Sequence, residues 1–217
     1  MRNELSWNSI LVACGVTPTT ANIWAPAFAL LMTDDVFAHD LEISEFLGEI
    51  LHESSHLESI SENLNYTPQG LLSTFGKRIT QDQANTLGRT LGHGANQQVI
   101  ANLVYGGDWG LKNLGNTLPT DGWNFRGSSP TQITGRSAFT KIGRIAGIDL
   151  VNNPDLARTP GAGSLKVAIT WWCEYVSPSE YGDVVAIRRT VNGPAMLGLD
   201  DTQAITQLAA TALSVNL

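Results

Sequence analysis

The sequence predicts a mostly α-helical fold. Residues 41 to 52 place Ile43, Phe46, Leu47, Ile50 and Leu51 three and four positions apart, the spacing of an amphipathic helix. Residues 163 to 176 repeat it with Leu165, Ile169, Trp172 and Val176, and residues 201 to 214 with Ile205, Leu208, Ala212 and Leu213. No internal repeat, low-complexity tract or long Pro/Gly/Ser linker interrupts the chain, so these helices are expected in one domain spanning 1–217.

The first of these helices has Asp40 as its expected N-cap. A further helix is expected from Gln81 to about Leu91. The last helix is acidic at its start and lacks Lys and Arg, which suits a core helix and not a membrane-active one. Between Tyr105 and Thr134 the character changes. Gly106, Gly107, Gly110, Gly115, Gly122, Gly127, Pro119 and Pro130 predict a long loop with at most a short hairpin. Trp109, Trp123 and Phe125 argue that such a loop is functional and not a disordered insertion.

With 217 residues, 42% hydrophobic and 15% charged, the chain has the composition of a soluble globular protein. A net charge of −7 without clustered Lys and Arg speaks against a nucleic-acid partner, and against electrostatic docking on anionic lipid or wall. Cys14 and Cys173 lack metal or redox spacing. One disulfide between them is permitted, but two buried thiols are the expectation. The apolar run from Ile10 to Val16 is too short and poorly flanked for a signal peptide. Synthesis in the cytoplasm without a leader is expected, along with a monomeric state, no stable membrane association and no cofactor.

Residues 51–66, LHESSHLESISENLNY, admit two chemistries. His52-Glu53-Ser54-Ser55-His56 fits the H-E-x-x-H pattern of a zinc peptidase helix, with Glu62 in the range of a third ligand. The sharp turn such a site needs falls at Ser59, where glycine is wanted, and His52 is offset from the apolar face.

The alternative is a pair of carboxylates. Glu53 lies three residues after Ile50 and seven after Phe46, so it shares their face, where apolar neighbours would favour the protonated acid. Glu62, in the polar run Ser61-Glu62-Asn63-Leu64-Asn65, is expected to be better solvated and ionised. Two carboxyl groups in opposed environments form the acid and base of glycoside hydrolysis. Glu58 is a rival for the second role.

HES at 52–54 followed by ENLNYT at 62–67 resembles the catalytic segment of the family 19 glycoside hydrolases, most of all their bacterial and bacteriophage endolysin branch. Downstream, DGWNFRG (121–127), QITGR (132–136) and RRTVNG (188–193) are similar to that family's GDGWRYRG, QLTGR and RRVNGG. The resemblance runs from about Trp24 to Asp201. It implies a lysozyme-like, bilobal helical domain with a cleft between lobes, the smaller lobe at roughly 67–120. It further implies Glu53 as general acid, Glu62 as general base, and Thr134 with Gln132 holding the attacking water. Asn192 would contact sugar, with Tyr66 and Trp123 lining the cleft. An inverting enzyme of this kind needs its carboxyl groups about 6.5–9.5 Å apart.

The chain departs from that pattern at three places. HESGG becomes HESSH, an Arg-Gly pair becomes Ser128-Ser129, and the second Gly of NGG becomes Pro194. The expected activity is inverting hydrolysis of β-1,4 bonds in peptidoglycan glycan strands by an endolysin without a separate wall-binding module. It would be released through a holin-like pore or carried in a virion. A chitinase, a zinc peptidase and a non-catalytic sugar-binding relative are the alternatives.

Overall fold

A computed structural model describes residues 4–214. Its α-helices are α1 (Glu4–Ala13), α2 (Pro18–Leu31), α3 (Asp40–Glu53), α4 (Pro68–Phe75), α5 (Gln81–Leu87) and α6 (Gln97–Val104) in the first half. The second half adds α7 (Gly107–Leu114), α8 (Asp121–Asn124), α9 (Arg136–Ala146), α10 (Ala162–Tyr175), α11 (Val184–Asn192) and α12 (Leu199–Leu213). Among the described residues, β pairing is confined to two isolated bridges, Ser61 with Ser128 and Ser128 with Ile133. The chain is mostly α, as its periodicity predicts. No described helix is long and apolar enough to cross a membrane.

The central helix is α3. Phe46, Leu47, Ile50 and Leu51 are at most 1% exposed, and burial of each contributes roughly 1.5–3 kcal/mol. Asp40 is its first helical residue and not its cap, a place taken by His39 in extended backbone. An acid in the first turn still suits the positive end of the helix dipole.

Helix α12 lies against α3, touching it at Gly48, where a Cβ would fall 2.0 Å from Thr206 Oγ1. That close approach selects the small-residue face of α12. Thr202, Ile205, Thr206, Ala209, Ala210 and Leu213 are buried, whereas Leu208, expected inside, is 48% exposed and Ala212 is only partly buried. Apolar spacing located the helix but mistook part of its buried face.

Three apolar clusters form the core. The first joins α1, α2, α3, α10 and α12 through Trp7, Trp24, Phe28, Phe46 and Trp172. The second belongs to residues 64–104 and holds Leu64, Leu71, Phe75, Ile100 and Val104. The third gathers Phe125, Ile133, Phe139, Ile142 and Val167, and Trp171 packs against both it and the first.

Two further expectations are corrected. Helix α5 stops at Leu87, not Leu91, because the chain turns back there. A Cβ on Gly88 would lie 2.7 Å from the nitrogen of Pro68, and Arg89 N–H donates to the Tyr66 carbonyl at 2.7 Å. Residues 105–134 are not one long loop. Their glycines bracket α7, with Gly106 at its N-cap and left-handed Gly115 at its C-cap, and α8 comes next. The expected short hairpin survives as the Ser128–Ile133 bridge. Cys14 and Cys173 are both free thiols. Cys14 is buried, which pushes its thiol up to about 12, while Cys173 is exposed, contrary to expectation.

Candidate active site

Glu53 is the last residue of α3, and the backbone reverses directly after it. Ser55, His56 and Leu57 are all left-handed, with φ of 49°, 58° and 67°. Each such non-glycine residue costs roughly 1–2 kcal/mol relative to right-handed backbone, so the turn needs compensating contacts. It has them. His56 N–H donates to Leu51 O at 2.7 Å and Ser59 N–H to Ser54 O at 2.8 Å. The buried Ser54 hydroxyl donates to Ile50 O and accepts from Leu57 N–H. Leu57 itself is buried.

The surroundings of Glu53 differ from those expected. Its carboxylate is not set among apolar groups but ion-paired with Arg188, Nη2 to Oε1 at 2.7 Å. That guanidinium is only 1% exposed, and its Nη1 donates to Glu49 Oε2 at 2.5 Å. Nε and Nη2 also donate to Leu197 O, at 2.8 and 2.5 Å. Glu49 and Glu53, one helical turn apart, thus share a single buried arginine. Burial pushes the Glu49 carboxyl up to about 7 against the pull of Arg188. The arginine therefore compensates the buried Glu49 and reaches Glu53 with its other amino group.

Glu62 is held by a different set. Its Oε1 accepts from the Tyr105 hydroxyl at 2.5 Å, and its Oε2 from Gly127 N–H at 3.0 Å. The backbone adds Glu62 N–H to Gly127 O at 2.8 Å. Glu62 is therefore partly buried and fully oriented, not the freely solvated group its polar sequence context suggests.

Gln132, itself left-handed at φ 51°, lies over Gly127, where a Cβ would meet its Oε1 at 2.7 Å and Glu62 Oε2 at 3.4 Å. The fold thus brings Glu62, Gly127 and Gln132 together. The Thr134 hydroxyl donates to Gln132 O at 3.2 Å, a local turn contact that leaves its lone pairs available.

The other expected residues fall at varying distances from this chemistry. Asn192 Oδ1 accepts from Leu197 N–H at 2.7 Å, so it secures the loop whose carbonyl receives Arg188. Tyr66 and Trp123 pack on the second cluster, with Arg126 stacked 3.7 Å over the Trp123 ring. Glu58 is spent elsewhere, accepting from Thr20 and Thr17 hydroxyls. The two histidines part company. His52 reaches Asp201 at 2.6 Å and abuts Gly198, whereas His56, beyond the end of α3, abuts Gly15. One helix face no longer carries both rings, and the zinc geometry is lost.

Glu49, Arg188, Tyr105 and Gly127 were not singled out from sequence. An acid stripe at Glu42, Glu45, Glu49 and Glu53 was legible there as three- and four-residue spacing along the amphipathic helix. All but Glu53 are buried. Glu45 is likewise pushed by burial up to about 7, with one carboxyl oxygen lacking a partner.

A carboxyl raised from its ordinary value binds its proton more tightly in the folded state. Its stabilisation is full below about pH 4.5 and is lost as pH rises to about 7. Urea unfolding is expected to show stability declining across that window. Glu45→Gln should flatten the decline, and an unchanged slope would count against the assignment.

The sequence of a protein from Haemophilus influenzae, described as a glycosyl hydrolase family 19 domain-containing protein, is 32% identical over 161 residues, covering 72% of each chain. This chain belongs to glycosyl hydrolase family 19. The family 19 profile described as chitinase class I matches residues 111–195, which take in DGWNFRG, QITGR and RRTVNG, while Glu53 and Glu62 lie upstream of it.

An acidic 27 kDa endochitinase of Solanum lycopersicum is 47% identical over 51 residues, 24% of this chain and 21% of that one, so the shared stretch is about a fifth of the plant protein. A chitinase C crystal structure aligns over 99% of this chain and 93% of its own with a TM-score of 0.51 at 15% identity, which shows a shared fold. The family 19 member described here is thus a glycosidase with a lysozyme-like helical fold.

Proposed function

We propose that this family 19 glycosidase hydrolyses β-1,4 bonds of peptidoglycan glycan strands with inversion, acting as a lysin on the bacterial wall. The observation that carries the reading is the contrast between two carboxylates separated by one reversing turn. Glu53 shares a buried arginine with a second carboxyl that can hold a proton. Glu62 is instead gripped by two neutral donors, the Tyr105 hydroxyl and the Gly127 amide.

Glu53 passes its proton to the glycosidic oxygen as that bond breaks. Water attacks the anomeric carbon from the opposite face, and Glu62 takes the water's proton. The product regains a hemiacetal hydroxyl, and the two carboxyl groups exchange protons with solvent before the next cycle. Thr134 and Gln132 orient the water, Tyr66 and Trp123 border the glycan, and Asn192 secures Arg188 through Leu197. Release through a membrane pore or carriage in a virion would bring such an enzyme to its substrate.

Chitin is the second reading, favoured by the chitinase and endochitinase names of the plant relatives. The test is to digest purified peptidoglycan and N-acetylglucosamine oligomers in parallel. The first-formed anomer is followed by proton NMR, and new reducing ends are identified by mass spectrometry. Inverted anomers with preferential cleavage of peptidoglycan are expected. Retained configuration ends the proposed mechanism, and exclusive cleavage of N-acetylglucosamine oligomers makes the enzyme a chitinase.

A further inference from the structure

Tyr105 is the C-cap of α6, the point where the second cluster meets the segment leading to Gly127. Its position is fixed from several sides. The ring meets Phe75 edge-on at 6.0 Å and lies 6.5 Å from Trp109. Its carbonyl accepts from Asn116 Nδ2 at 2.9 Å, and Asn116 Oδ1 in turn accepts from Arg136 N–H at 2.9 Å. Its N–H completes α6 by donating to Ala101 O. A side chain so constrained leaves the phenol little freedom, and the hydroxyl ends 2.5 Å from Glu62 Oε1.

We infer that Tyr105 is a positioning residue for hydrolysis, its phenol clamping one Glu62 oxygen while the Gly127 amide holds the other, so that the carboxylate presents its remaining lone pairs in one fixed direction. The inference rests on the assignment of Glu62 as the base. Each carboxylate oxygen offers about two acceptor positions, and each here has one occupied by protein. What remains is a carboxylate that cannot rotate without losing both bonds. Fixing a base in this way lowers the entropic cost of placing water for in-line attack.

The same hydrogen bond acts on charge. A hydrogen bond from a neutral phenol to a carboxylate oxygen is charge-assisted, and removing the donor leaves that oxygen without its protein partner. Tyr105 itself stays protonated, because burial and the adjacent Glu62 charge both push its phenol upwards. The other charged or titratable groups facing this pair are Arg126 beside Glu62, and Arg78 and Tyr66 beside Tyr105. Arg78 is stacked 4.0 Å over Trp109 and donates to the Val104 carbonyl, which ties it to the same aromatic wall.

The test compares wild type, Tyr105→Phe, Phe75→Leu and Glu62→Gln on solubilised peptidoglycan across pH. Tyr105→Phe keeps the ring and loses only the hydroxyl. It should lower kcat by about tenfold or more with KM changed less than about twofold. Phe75→Leu loosens the packing of the Tyr105 ring without touching Glu62. It should lower Tm without the tenfold loss of kcat. A Tyr105→Phe profile superimposable on wild type, or one reproduced by Phe75→Leu, overturns the inference. Full turnover by Glu62→Gln would instead overturn the assignment of the base, whatever Tyr105 does.

Discussion

Glu53→Gln and Glu62→Gln are each expected to lower hydrolysis of peptidoglycan by at least about 100-fold, the range of a positioned acid or base. Both amides keep the size of the acid, and each retains one oxygen that accepts one of the bonds holding the native side chain. At position 53 an amide oxygen still meets Arg188 Nη2, and at position 62 the Tyr105 hydroxyl still has an acceptor. Loss of activity should therefore come without loss of fold, and near-native Tm for both variants is the required control.

The two losses can be separated by chemistry. A 4-nitrophenyl glycoside of an N-acetylglucosamine oligomer has a leaving group that departs without protonation. Glu53→Gln should recover most of its activity on that substrate, because only the acid is missing. Glu62→Gln should not, because attack by water still lacks a base. If both variants recover equally, or neither does, the division of labour proposed for the pair is wrong.

Replacing Arg188 by methionine, a side chain of similar reach, should cost about 3–5 kcal/mol of stability, the range for breaking a buried charge pair from one side. The arginine is 1% exposed and Glu49 is 2% exposed, so the surviving carboxyl has no route to solvent. Leu197 O loses its donors as well.

The pH dependence has a definite sign. Without its cation, Glu49 can be buried only in protonated form, so the penalty should be largest at pH 8 and smaller at pH 5. Adding Glu49→Gln should restore part of the stability at pH 8, since it removes the orphaned charge. Urea unfolding of the two variants at both pH values measures all three effects. A cost below about 1 kcal/mol at pH 8 would mean that the trio contributes little to holding α11 against α3.

The architecture was legible in the sequence where periodicity is strong. Helices α3 and α10 both match their patterns to within a residue at each end. Errors arose where spacing is a poor guide to the partner. Leu208 fits an apolar stripe, but α12 meets α3 through Gly48, and a flat contact between helices prefers threonine and alanine to leucine. The glycines of 105–134 read as loop because the same residue terminates helices and fills turns.

The segment carrying Glu53 and Glu62 was visible as a motif, yet its electrostatics were not. The cation that holds Glu53 comes from 135 residues away, since 188 − 53 = 135, and no local pattern reports such a pairing. Gly127 and Tyr105 escaped notice for the same reason, because their roles exist only once the chain has folded onto Glu62.

The departures from the resembled motifs also acquire a meaning. Ser55 and His56 stand where that pattern has Gly-Gly, and Ser129 where it has Gly, yet all three keep backbone angles that glycine favours, with φ of 49°, 58° and 71°. The chain takes this path without the residue best suited to it, and the tension is contained by neighbours. The imidazole of His56 rests on Gly15, in the turn between the first two helices. That opening hairpin is consequently a brace for the segment between the two glutamates, and a shortened enzyme made by trimming it away would slacken the site it was meant to preserve.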